Sequence, residues 1–92
     1  MNLLRPNNQT SRWMAHPETY RGMTAEHIRV ELSLQDVPSR ISEVHVPAGT
    51  LIRRGRVAAN FGGNAGAVQY ELLEPIPVTC FINEQAIDGV IP

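Results

Sequence analysis

The chain has 92 residues, 42% of them hydrophobic and 18% charged, with eight basic side chains against nine acidic ones. Its length is that of one domain, and its composition is globular rather than disordered. The near-neutral balance argues against an extended nucleic-acid surface, which needs a basic excess.

Residues 1–22, "MNLLRPNNQTSRWMAHPETYRG", hold two prolines and several turn formers and show no sustained period. They read as a loop-rich, arginine-bearing segment with one short strand near Trp13. Residues 23–92 read as the sheet core. "HIRVELSLQ" alternates, with Ile28, Val30, Leu32 and Leu34 on one face, which predicts a half-buried strand. A helix with Thr24 as its N-cap and Ala25, Ile28 and Leu32 inward is the competing reading. "SEVHV" and "TLIRRGRVA" predict short strands around the turn "PAGT". A glycine loop follows at 61–67. "VQYELL" then alternates again, "PVTCFI" predicts a strand, and "NEQAI" before Gly89 suggests one closing helical turn. The expected fold is α+β and mostly antiparallel β: a small single domain, 1–92, with a short central sheet, long N-terminal loops and little helix.

All eight positive charges are arginines, and the last 36 residues carry none of them. Arginine suits bidentate phosphate recognition, although high-GC codon usage explains the bias equally well. Arg53, Arg54 and Arg56 fit either a basic rim or a solvated strand end. The single cysteine, Cys80, reads as a small core residue. His16, His27 and His45 lack metal-ligand spacing, so no metal is expected. No signal peptide or apolar span of roughly 18 residues is visible.

In "FGGNAGAVQYE", Gln69 and Glu71 stand two residues apart just past the glycine loop. Side chains i and i+2 of a strand share a face. The pair therefore points away from Val68, Tyr70 and Leu72, onto a surface or cleft. A solvated strand face accounts for so short a pattern equally well.

The wider segment "GRVAANFGGNAGAVQY" resembles the signature of the tuberculosis-necrotizing-toxin type of NAD glycohydrolase domain, found at the C-terminal ends of many bacterial polymorphic toxins. Gly55, Val57, Ala58, Phe61, Gly62, Gly66, Gln69 and Tyr70 occupy that family's motif positions with its spacing. Ala65 and Ala67 replace two of its clustered glycines, which makes the loop less permissive at positive φ. Upstream, "SRWMAHPETY" resembles a shortened version of the family's arginine–aromatic segment. Arg12, Trp13 and Tyr20 are in matching places, with Arg5 before them and Arg21 after. His45 is the nearest match to a family histidine.

The resemblance implies a secreted effector that acts in the target-cell cytoplasm. Its substrate is NAD or NADP, with no separate cofactor, and a cognate immunity protein is its partner; no membrane or nucleic-acid partner is implied. Under it, Gln69, Glu71 and His45 are the catalytic candidates. Arg5, Arg12, Trp13, Tyr20, Arg21, Phe61, Gly62, Gly66 and Tyr70 are the substrate-binding candidates. The chemistry is consistent with these residue types: arginines pair with a pyrophosphate, and aromatic rings stack on a base. A pyridinium leaving group needs no general acid, and an amide holds a ribose hydroxyl or a water without a perturbed pKa. Trp13 and Phe61 also fit core positions. Two alternatives remain open: a mono-ADP-ribosyltransferase built on Gln69-x-Glu71, and a small binding module without activity.

Overall fold

The computed structural model describes residues 1–6 and 13–92. Among these, six strands and two short α-helices are seen. They are β1 (Asn2–Pro6), β2 (Trp13–Met14), α1 (Pro17–Tyr20), α2 (Ala25–Glu31), β3 (Arg40–His45), β4 (Ile52–Arg56), β5 (Val68–Leu72) and β6 (Phe81–Ala86). The strands form two three-stranded antiparallel sheets, ordered β1-β3-β6 and β2-β5-β4. The fold is thus mostly antiparallel β with little helix, in two sheets rather than one. Among the described residues a bridge joins them: the Leu4 and Ala15 amides each donate to the other's carbonyl, at 2.8 and 3.1 Å.

The segment expected to alternate as a strand is a helix instead. The Thr24 hydroxyl accepts from the His27 amide at 3.2 Å and so caps α2, satisfying one of the backbone donors that a helix start leaves open. Ile28 and Leu32, four apart, are both buried in the core. In "HIRVELSLQ" the same apolar residues fit both periods, and the cap decides between them. Ser33, at φ 50°, ends the helical path and sends the buried Leu34 onward.

Two further differences lie at the chain's early and late strands. "NLLRP" carries no alternation of its own, yet it pairs with β3 from Asn2↔His45 to Pro6↔Ile41. Tertiary pairing imposes this strand, with proline at its end where a missing N–H costs least. "NEQA" belongs to β6 rather than to a helical turn. β6 meets β3 through a register shift between Ile41 and Glu43. Asn83, at φ 52°, lies in the corresponding stretch of β6 and hydrogen-bonds Glu43, as in a β-bulge. In "PVTCFI", residues Val78–Cys80 form a 3-10 turn before that strand begins.

Two apolar clusters fill the interior. Ala15, Tyr20, Ile28, Leu32, Leu34, Ile41 and Val57 form one, which seats α2. Leu3, Met14, Val44 and Val46 form the other, with Tyr70, Leu72 and Phe81 packed against it. The second cluster takes one face of β5; Gln69 and Glu71 lie on the other.

Candidate functional site

β5 is the central strand of its sheet, so both of its edges are paired and its side chains are held in register. Across it, Trp13 on β2, Glu71 on β5 and Arg53 on β4 are directly opposed. They lie on one face, and the Arg53 guanidinium reaches over the sheet. Its Nη2 donates to Glu71 Oε1 at 2.5 Å, and its Cζ lies 5.8 Å from the centre of the Trp13 ring. Arg53 is largely exposed and Glu71 is 7% exposed. Glu71 is therefore not the open carboxylate that the alternation alone suggests.

Gln69, on the same face, pairs with Gly55 and is half-buried. It lines a cleft of about 310 Å³ together with Trp13, Ser33, Asn60 and Phe61. Residues 57–61, leading into the glycine loop, supply one wall and residues 32–35, just past α2, another. That loop is docked rather than loose. Its base closes through Val57 N–H to the Ala67 carbonyl and Gly66 N–H to the Val57 carbonyl, both 2.8 Å. Asn60 to Gly63 form a turn, with Gly63 N–H donating to the Asn60 carbonyl at 2.7 Å. Phe61 and Gly62 are at φ 49° and 72°, the pattern of a type I′ turn. Glycine is needed for such backbone more than a bulky ring is, so Phe61 is held there at a cost. Arg29 donates to the Phe61 carbonyl at 3.0 Å, and Asn64 donates to Glu31 at 2.8 Å. Phe61 is 51% exposed and lines the cleft.

The other candidates lie elsewhere. Tyr20 is fully buried, and its hydroxyl donates to the Leu4 carbonyl at 3.2 Å. Burial pushes its pKa far above the ordinary tyrosine range, so it is a neutral core residue out of a ligand's reach. Tyr70 points to the opposite face from Gln69, where its hydroxyl and His16 Nε2 are 3.1 Å apart. Arg5 lies in the other sheet with its guanidinium 4.4 Å from the centre of the Phe81 ring. Arg21 is exposed at the end of α1, and His45 is exposed at the end of β3, opposite Asn2. None of Arg5, Arg21 and His45 lines the Gln69 cleft. Gly62 and Gly66 shape the loop at positive φ. Arg12 is outside the described residues.

Two contacts were not foreseen. Arg53 carried no motif to set it apart from Arg54 and Arg56. His16 had no ligand spacing, and its partner Tyr70 is 54 residues away. Among the described residues, no group of three or more His, Cys, Asp or Glu is placed to hold a metal ion, and no helix is long and apolar enough to cross a membrane. No protein-family model, no curated protein and no solved structure matches the chain.

Proposed function

We propose that this domain hydrolyses NAD or NADP at the bond between nicotinamide and ribose. One observation carries the reading: Gln69, in the motif position of the resembled hydrolases, lines a cleft with Trp13 and Phe61. The cleft's volume is at the lower end of those that bind small molecules. It suits the nicotinamide–ribose half of a dinucleotide, with the rest extending outward.

In this reading the C1′–N bond breaks and its electron pair stays on the nicotinamide nitrogen. Water adds to C1′ and releases a proton to solvent, giving nicotinamide and ADP-ribose. The Gln69 amide holds a ribose hydroxyl or orients that water, and the aromatic rings of Trp13 and Phe61 flank the pyridinium. Glu71 acts on the same face only through its pair with Arg53. Because Arg53 holds it, Glu71 is poorly arranged to grip ribose as a transferase would require, which favours hydrolysis over transfer.

The test is nicotinamide release from NAD and NADP by the purified domain with no acceptor protein present. Release that depends on Gln69 supports the reading. Absence of release from either dinucleotide overturns it.

A further inference from the structure

We infer that Arg53 reads phosphate beside the Gln69 cleft. The inference rests on that cleft being a nucleotide site, and among the described residues it moves phosphate recognition away from Arg5 and Arg21. Arg5 is committed to the Phe81 ring in the other sheet, and Arg21 is at the end of α1; Arg53 does not line the cleft itself, but its guanidinium reaches Trp13, which does.

Arg53 is placed for the task by three facts. It is opposite Glu71 on β4, so it is the diagonal cross-strand neighbour of Gln69, a spacing of about 7–8 Å. Its guanidinium stacks toward Trp13, which itself lines the cleft. Its side chain is 62% exposed, although one of its nitrogens is anchored.

The anchor matters most. A guanidinium has five N–H donors in a rigid fork. Glu71 takes a donor on Nη2, tethering the guanidinium while most of the side chain stays exposed. An arginine so held loses little side-chain entropy on meeting an anion, which is preorganisation. The chemistry that fits is a phosphate or pyrophosphate joined to a ring that occupies the cleft beside Trp13: a nucleoside diphosphate or a dinucleotide.

Trp13 is the only tryptophan of the chain, so its fluorescence reports on the cleft without a label. Titration with ADP-ribose and with nicotinamide, which carries no phosphate, separates the two parts of the site. Arg53→Ala is expected to weaken ADP-ribose binding at least about tenfold, as loss of a charge-assisted hydrogen bond does, and to leave nicotinamide within about twofold. Arg53→Lys is expected to recover only part of the loss. Arg53→Ala leaves Glu71 without its partner, so the double variant Arg53→Ala/Glu71→Ala is measured alongside and should show the same selective loss. Equal weakening of both ligands, unchanged ADP-ribose binding, or no ADP-ribose binding by the parent domain would overturn the assignment. Nicotinamide release is scored separately. A parent that binds ADP-ribose through Arg53 yet hydrolyses neither dinucleotide sinks the hydrolase reading and keeps this one.

Discussion

The Ser33 hydroxyl donates to the Asn64 carbonyl at 2.7 Å and also receives the Asn60 amide at 3.3 Å. One side chain just past α2 thus grips both ends of the turn that walls the cleft. Gly63 lies inside this grip. A Cβ built there falls 2.6 Å from Ser33 Oγ, 2.7 Å from the Val30 carbonyl oxygen and 2.8 Å from Ser33 Cα. Backbone atoms cannot swing aside, so Gly63→Ala should destabilise the domain by about 1–3 kcal/mol. Urea denaturation measures it. A neutral result would mean that the loop is not seated on α2.

Gln69→Ala should separate chemistry from folding. The side chain projects from the outward face of β5 and is half-buried, so the stability change should stay within roughly 0.5–1 kcal/mol. Nicotinamide release should fall by on the order of 100-fold, as when a group positioned for the transition state is removed. A folded, fully active variant would remove Gln69 from the site.

Glu71→Gln keeps an acceptor for Arg53 and removes the charge. Hydrolysis should persist, reduced about tenfold, which is about 1.4 kcal/mol of barrier. The parent should transfer no label from NAD to any protein. Labelling of a partner protein that disappears in Glu71→Gln would install a transferase in place of the hydrolase.

Tyr20→Phe should leave turnover and its KM unchanged, because the ring is enclosed in the core. Its hydroxyl is one of two donors to the Leu4 carbonyl; the Ala15 amide is the other. Loss of the hydroxyl should therefore cost about 0.5–1.5 kcal/mol, read as a small drop in Tm. A raised KM with an unchanged Tm would return Tyr20 to the substrate.

Thr24→Ala removes the cap of α2. A loss of about 1 kcal/mol is expected, in line with other N-caps. Circular dichroism and denaturation check it together. An unchanged stability would mean that Ile28 and Leu32 hold the helix without the cap.

Elements with a strong local signal were legible from sequence. β4 and β5 followed from alternation and turn residues, and the outward face of Gln69 followed from the two-residue period. β1 was hidden because "NLLRP" becomes a strand only through residues some 40 positions away. The helix at Ala25–Glu31 was ambiguous because Ile28 and Leu32 satisfy two periods at once. At the site, the grip of Arg53 on Glu71 depends on cross-strand register, which alternation within one strand does not specify. The docking of the glycine loop depends on Ser33, a residue with no motif of its own.

β3 lies between the first strand of the fold and the last: residues 40–45 pair on one side with 2–6 and on the other with 81–86. The β4–β5 hairpin lies wholly between β3 and β6 in the chain. Closing so long a loop costs entropy before its contacts return any. Hairpin β4–β5, whose connection spans only residues 57–67, can therefore assemble early. The β3–β6 seam must wait until synthesis has passed residue 86. Until then β3 presents an unpaired edge, and that edge is where a nascent or unfolded copy of this chain is most exposed to pairing with another strand.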